Sequence, residues 1–117
     1  MSKEWIFRTL LNQGLRQIDA QIYVFLTTEG PKNRKSIAQT LNLNRYEISH
    51  SLSHLKSIGI ISEIPKRPIL FSALSFDKVL GLFLETKKAQ TKDLQENRGR
   101  LISSWESLLD DNEQSLN

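Results

Sequence analysis

Hydrophobic residues recur at helical spacing through the first third of the chain and predict two successive helices. The first apolar cluster lies around Leu10 and ends near Gly14. The second runs from Arg16 to the Gly30–Pro31 pair, a combination that stops a helix. The chain therefore opens with two short amphipathic helices joined by a glycine turn.

Two further short helices are predicted from their end signals. Asn33 can cap a third helix, and Asn44 can cap a fourth that ends near Gly59. Between them Asn42 can adopt the left-handed conformation that a tight turn requires. The small Ala38 precedes this turn and the apolar Ile48 follows it, at the spacings of a helix-turn-helix.

The pattern changes after Gly59. Two β-rich runs, 60–64 and 69–71, are separated by Pro65-Lys66-Arg67-Pro68, which predicts a hairpin with a basic turn. From Ser75 to about Asp110 helical spacing returns in one long segment. The predicted fold class is mainly α with a small β-hairpin, that is, a winged helix-turn-helix followed by a long C-terminal dimerisation helix.

These elements suggest a division of the chain into functional parts. We expect a winged helix-turn-helix domain over 1–74, a coiled-coil-like dimerisation helix over 75–111 and a frayed tail over 112–117. Gly99 is expected to bend or split the long helix, because glycine is a poor helix former.

The fourth helix carries two different faces. Its apolar side includes Ile48 and Leu52, whereas the other side carries short hydrogen-bonding side chains with a single acid, Glu47, nearby. Such a face suits the major groove of DNA, where Arg, Asn, Ser and His bond to base edges. We therefore predict a recognition helix over 44–58; the alternative is a merely solvated face. Its predicted DNA-contacting residues are Asn44, Arg45, Tyr46, Ser49, His50 and Ser53.

Two basic clusters flank this helix in the sequence. Lys32, Arg34 and Lys35 stand at the predicted start of the third helix, where cations and free N–H groups would clamp a phosphate. Lys66 and Arg67 occupy the tip of a predicted wing over 64–69 that would contact the DNA backbone or minor groove. Alternatively, this pair only keeps an edge hairpin soluble.

Charge is distributed unevenly, and this supports a polyanion partner. The 117-residue chain has a net charge of +3. Up to Ser72 we count 10 Lys plus Arg against 5 Asp plus Glu, or +5, and from Ala73 the count is 6 against 8, or −2. A basic excess confined to the predicted winged helix favours double-stranded DNA as the ligand.

The C-terminal helix is too long for so small a domain to bury. Apolar residues recur in a 4-3 pattern at its two ends, as in a coiled-coil seam. We predict a homodimer with an antiparallel or crossed contact; the alternative is a helix that folds back on its own domain. The predicted interface residues are Leu80, Leu84, Leu94, Leu101, Trp105 and Leu108.

Other kinds of chemistry find little support in the sequence. There is no cysteine, no Gly-rich phosphate loop and no nucleophile elbow. Glu47, His50 and His54 share one helix side, but no distant His or Cys completes a metal site. We expect no enzyme activity, cofactor, metal, membrane span or small-molecule effector, and a cytoplasmic location at the nucleoid. The runner-up function is a winged-helix protein-interaction module without base readout.

From Leu15 to about Leu84 the chain resembles the DNA-binding domain of archaeal TrmB-like transcriptional regulators, within the MarR-like group. The resemblance rests on Gly-Leu at the entry, Gly-Pro, Ser-Ile-Ala, Asn-Arg and Leu-Lys-Ser-Ile-Gly-Ile-Ile, in that order. It implies a homodimer on a palindromic operator, with Arg45 in the major groove. Ser51 departs from the family pattern, since an apolar residue is expected there. Larger members carry a C-terminal sugar-binding domain, and sugar sensing is not expected here.

Overall fold

The computed structural model describes the backbone of residues 2–116 and the side chains of residues 3–111. The elements of this described chain confirm the predicted fold class, with one small addition to the sheet. In order they are α1 (Ser2–Asn12), α2 (Gln17–Glu29), β1 (Lys32–Asn33), α3 (Arg34–Leu41), α4 (Arg45–Ser57), β2 (Ile61–Ile64), β3 (Leu70–Ala73) and α5 (Phe76–Leu116).

Backbone contacts divide the chain into two compact units, Met1–Leu80 and Gly81–Asn117. The first unit contains the four short helices, the sheet and the first turn of α5, and the second contains the remainder of α5. This division lies a few residues beyond the boundary at residue 74 that the sequence suggests. The functional roles assigned to the two parts remain predictions.

The core of the first unit is built from apolar residues of every element in it except β1. Tyr23 of α2 is fully buried, and its hydroxyl donates a hydrogen bond to the carbonyl oxygen of Leu74 at 2.7 Å, which joins α2 to the segment after β3. Because the phenol keeps a hydrogen-bond partner, burial of its ring stabilises the fold without a polar penalty. The buried apolar residues are Leu10, Leu15, Ala20, Ile22, Tyr23, Leu26, Ile37, Ile48, Leu52, Leu55, Ile60, Ile61, Phe71 and Val79.

The sheet has three antiparallel strands in the order β1-β3-β2. The β2–β3 pair is the predicted hairpin, with Ile61 opposite Ala73 and Ile64 opposite Leu70, and the Arg67–Pro68 peptide bond in its loop is cis. β1 was not predicted from the sequence. Lys32 was predicted to lie at the start of the third helix, whereas it lies in β1 opposite Phe71, and α3 begins at Arg34. That placement of Lys32 was therefore wrong.

The long helix α5 runs from Phe76 to Leu116, past the predicted end near Asp110. It is one helix through Gly99, so the expected split does not occur. An ion pair between Lys92 and Glu96, at 3.9 Å, lies along its exposed surface. The expectation of a frayed tail concerns residues 112–117, whose side chains lie outside the described residues, and it stays a prediction.

Candidate nucleic-acid interface

The turn between α3 and α4 has the geometry that a helix-turn-helix needs. Asn33 accepts a hydrogen bond from the backbone N–H of Ser36 at 2.8 Å, which caps α3 as predicted. At the other end Asn42 adopts the left-handed conformation, with φ 55° and ψ 52°. The N–H of Leu43 then donates to the carbonyl of Ala38 at 2.9 Å and closes the turn. Both local predictions for this turn are confirmed.

A reciprocal pair of hydrogen bonds fixes the first turn of α4. The Asn44 side chain accepts from the N–H of Glu47 at 2.8 Å, and the Glu47 carboxylate accepts from the N–H of Asn44 at 3.0 Å. This arrangement is a capping box. The Asn44 cap was predicted from the sequence, whereas the role of Glu47 was not, although an acid three residues after the capping Asn is the usual signal. The only acid of this helix is therefore engaged with the backbone.

The outer face of α4 carries the predicted base-contacting residues. Arg45, Tyr46, His50 and Ser53 are exposed, and the Tyr46 side chain is 75% exposed. The rings of Tyr46 and His50 stack with centroids 5.7 Å apart and an interplanar angle of 12°. This contact holds two large polar side chains side by side on the solvent-facing surface.

Ser49 differs from its neighbours on α4, because it is half-buried and already bonded. The guanidinium Nη1 of Arg34 donates to its hydroxyl at 2.6 Å, so the first turn of α3 is tied to the middle of α4. Arg34 has further N–H groups that can contact a phosphate or a base. The structure therefore brings these two predicted DNA-contacting residues together.

A buried polar network anchors the inner face of α4. Ser51, the departure from the family pattern, is buried and donates its hydroxyl hydrogen bond to the carboxylate of Asp19 on α2. Asp19 also accepts from the backbone N–H of Arg16 at 3.1 Å and from its guanidinium at 3.0 and 3.1 Å. Burial alone would raise the pKa of Asp19, but the hydrogen bonds from Arg16 and Ser51 outweigh it and lower that pKa.

Cations of α3 and α4 meet the hairpin at an open groove of about 660 Å³. Arg34, Lys35 and Arg45 line it together with Pro68 and Ile69 of the hairpin. Lys66 and Arg67 are exposed on the hairpin loop and do not line this groove. Positive charge from α3 and α4 therefore converges beside the outer face of α4.

Two charged residues at this surface were missed by the sequence analysis. Lys56, in the last turn of α4, donates to the carboxylate of Glu63 on β2 at 2.8 Å. The available signal was the alternation of the strand, which puts Glu63 on the same side as the buried Ile61. Glu63 therefore points towards the helices instead of away from them.

The family model of the sugar-specific transcriptional regulator TrmB matches residues 10–77, more than half of the chain. The chain belongs to the TrmB family. The matched segment contains the whole helix-turn-helix and hairpin, so the family resemblance noted in the sequence is confirmed. No curated protein sequence matches the chain.

Solved structures show which folds this TrmB-family chain shares. TrmBL2, described as an archaeal chromatin protein with a novel mode of DNA binding, matches with a TM-score of 0.77 and 19% identity over 92% of this chain. The match spans 42% of TrmBL2, so the chain corresponds to less than half of that protein. ST1889 from Sulfolobus tokodaii matches with a TM-score of 0.63 and 16% identity, over 80% of this chain and 98% of ST1889.

The likeness extends to bacterial regulators. The transcriptional regulator Tm0710 from Thermotoga maritima matches with a TM-score of 0.57 and 15% identity, over 97% of this chain and 88% of Tm0710. At these identities the comparisons establish the winged-helix fold. Together with the family match, they identify a chain of a DNA-binding transcription-regulator family and not of an enzyme family.

In this TrmB-family chain, α5 exposes apolar side chains along much of its described length. Leu84 is 71% exposed, Trp105 59% and Leu108 67%. Leu80, Leu94 and Leu101, the other predicted interface residues, are exposed as well. Ile102 and Leu109, which the prediction omitted, widen the apolar stripe. None of the described helices is both long and apolar enough to cross a membrane, α5 included.

The described residues contain no group of three His, Cys, Asp or Glu side chains that could hold a metal ion. His50 is engaged in the stack with Tyr46, while His54 is exposed and its carbonyl oxygen accepts a hydrogen bond from the Ser57 hydroxyl at 2.7 Å.

Proposed function

We propose that this TrmB-family chain is a sequence-specific regulator that binds double-stranded DNA as a homodimer. The observation that carries the proposal is the outer face of α4. It is exposed, it presents hydrogen-bonding side chains, and its one acid is engaged in the cap at Asn44. A cationic groove formed by Arg34, Lys35 and Arg45 borders it. This combination suits a helix inserted into a major groove between two phosphate backbones.

Each predicted DNA-contacting residue of α4 has a role in this proposal. Arg45 is the candidate for a bidentate contact with guanine O6 and N7, since it is at the N-terminal end of the helix. Tyr46 and His50, stacked on one another, would contact base edges or the thymine methyl group as a rigid unit. Ser53 would donate or accept at a neighbouring base. The Asn44 and Ser49 side chains have partners in the free protein and would add secondary contacts.

Contacts to the DNA backbone would come from the flanking elements. Lys32 and Lys35, together with Arg34, would bind phosphates on one side of the groove, and Lys66 and Arg67 would bind the backbone or minor groove through the hairpin loop. These contacts position the recognition helix and supply affinity that depends on salt.

Dimerisation is proposed for the apolar stripe of α5. Exposed side chains such as Trp105 and Leu108 are costly in water, at about 25 cal/mol per Å² of apolar surface. Packing α5 against α5 of a second copy would bury them. Two winged helices held together can recognise two half-sites about one helical turn apart, which a single copy cannot do.

DNA binding is tested by titrating the chain with duplex of arbitrary sequence at about 50 and about 200 mM salt. We expect the logarithm of the affinity to fall linearly with the logarithm of the salt concentration, by about 0.9 per phosphate neutralised. Lys66→Ala should reduce this slope by about 1 and weaken all sequences alike. A wild-type chain without measurable affinity would overturn the proposal and favour a protein-interaction module.

A further inference from the structure

Glu63 is an acidic residue in a segment of the chain that is otherwise mostly basic. Between Gly30 and Ser75 the chain has two acids, Glu47 and Glu63, against seven Lys plus Arg. Glu47 caps α4, which leaves Glu63 as the acid of this segment that faces the basic surface. Its carboxylate accepts a hydrogen bond from Lys56 at 2.8 Å, although both side chains are partly exposed to solvent. This is where a DNA-binding surface would ordinarily avoid negative charge.

The surroundings of this ion pair resemble an anion site. Glu63 lines a small cavity of about 190 Å³ between α4 and the hairpin, together with Arg34, Ser53, Lys56 and Ser57. It also lines the larger groove that contains Arg34, Lys35 and Arg45. Two cations and the hydroxyl of Ser53 converge there, whereas the hydroxyl of Ser57 already donates to the carbonyl oxygen of His54, and Glu63 supplies the only negative charge among the lining residues. A negatively charged oxygen is the kind of group that this donor set binds.

The backbone explains why the carboxylate reaches this position. Side chains alternate along a strand, so Glu63 lies on the same side of β2 as the buried Ile61 and points towards α4. Phe71, directly opposite on β3, is buried and lines both cavities. Glu63 is therefore held at the border of the core, with its carboxylate directed at Lys56.

We propose that Arg34 and Lys56 form a binding site for one DNA phosphate, and that the carboxylate of Glu63 takes the place of this phosphate in the free protein. On DNA binding, Lys56 exchanges the carboxylate of Glu63 for a phosphate oxygen. Non-specific binding is weakened by this exchange, because one charge-assisted hydrogen bond must be given up for each one gained. The inference rests on the proposed DNA-binding function and adds a residue that limits affinity.

The exchange predicts a specific salt dependence. In the wild type, the DNA releases a cation when Lys56 neutralises a phosphate, and the freed Glu63 carboxylate takes up a cation. The two effects nearly cancel, so the Lys56–Glu63 pair adds little to the slope of log affinity against log salt concentration. In Glu63→Gln the DNA still releases its cation, but no carboxylate takes one up. We expect this variant to bind arbitrary duplex roughly 3–10-fold more tightly at about 50 mM salt, with a slope steeper by about 0.9.

A double-mutant cycle separates the exchange from general repulsion between Glu63 and DNA. If Lys56 is the group that is set free, the gain from Glu63→Gln disappears in a Lys56→Gln background. An equal gain with and without Lys56 would overturn the proposal. Glu96→Gln, which removes the acid of the Lys92–Glu96 pair in the other compact unit, is the matched control for net charge and should leave the affinity unchanged.

Thermal melting of each variant checks that it is folded before affinities are compared. If Glu63→Gln binds duplex with unchanged affinity and salt slope, or if Glu96→Gln gives the same gain in affinity, the proposal of a phosphate site is wrong. The proposal that the chain binds DNA is not affected by either result. If the wild type does not bind duplex at all, the proposed function itself fails. The two failures are therefore distinguishable in one set of titrations.

Discussion

Ser51 shows how a single polar residue can be accommodated at the inner face of a recognition helix. The sequence suggests poor packing at position 51, because the family pattern has an apolar residue there. The structure instead pairs Ser51 with Asp19, and Arg16 supplies three more hydrogen bonds to the same carboxylate. Among the described residues no buried side-chain oxygen or nitrogen atom lacks a hydrogen-bond partner, which reduces the usual cost of burying polar groups.

Neither partner in this network was predictable from local sequence. Asp19 and Ser51 are 32 positions apart, and their contact depends on how α2 packs against α4. In contrast, Asn33, Asn42 and Asn44 act through backbone groups a few residues away. Their roles as caps and turn residue follow from the sequence, and the structure confirms them.

The lowered pKa of Asp19 makes an acid-dependent prediction. A carboxylate whose pKa is lower in the folded than in the unfolded state stabilises the fold above its unfolded pKa, and this contribution is lost as the pH falls through the folded value. Asp19→Asn should cost about 1–3 kcal/mol of unfolding free energy at pH ~7. Urea unfolding should show this difference shrinking below about pH 4. A difference that stays constant with pH would contradict the network.

At the scale of elements, the helices and the hairpin were predictable because their ends carry strong local signals. Gly30–Pro31 stops α2, and the proline-bracketed basic segment forms the loop of the hairpin. β1 was not predictable, since Lys32 and Asn33 have no strand pattern of their own. They form a strand only because Phe71 and Leu70 of β3 lie beside them.

The ion pair between Lys56 and Glu63 belongs to the same class of feature. It joins α4 to β2, and neither residue has a motif around it. Alternation along β2 gives the side on which Glu63 lies, but the distance to Lys56 depends on tertiary packing. The exposed face of α4 was therefore predictable from the sequence, whereas the ion pair between Lys56 and Glu63 was not.

The role of α5 can be tested with single cysteines, because the natural chain has none. In separate variants, Leu94→Cys, Leu101→Cys and Leu108→Cys would form a disulfide only between two copies. In an antiparallel or crossed dimer, identical positions meet only near the crossing point, so we expect one variant to cross-link efficiently under mild oxidation. Non-reducing electrophoresis gives the result.

Other outcomes of this experiment have a clear meaning. Efficient cross-linking of all three variants would indicate a parallel, in-register coiled coil. No cross-linking at any position, with a monomer in sedimentation at tens of micromolar, would contradict dimerisation through α5. Lys92→Cys, at an exposed position of the same helix outside the predicted interface, serves as the control for random collision.

At the scale of the whole molecule, charge and apolar surface are separated along the chain. The basic excess lies before Ser72, in the unit that holds the helix-turn-helix, and exposed apolar residues are concentrated on α5. This separation is consistent with the proposal that the unit with the helix-turn-helix binds DNA and that α5 joins two copies of the chain. The family match over residues 10–77 covers the first part and leaves most of α5 outside it.

The central claim is that the outer face of α4 enters the major groove and recognises a sequence. Selection of bound sites from random duplex tests it most directly. We predict an enriched site with two-fold symmetry and half-sites about 10 base pairs apart, and with Arg45→Ala we predict relaxed preference at one position of each half-site. Failure to enrich any sequence, or enrichment of the same site by Arg45→Ala with undiminished preference, would contradict the account.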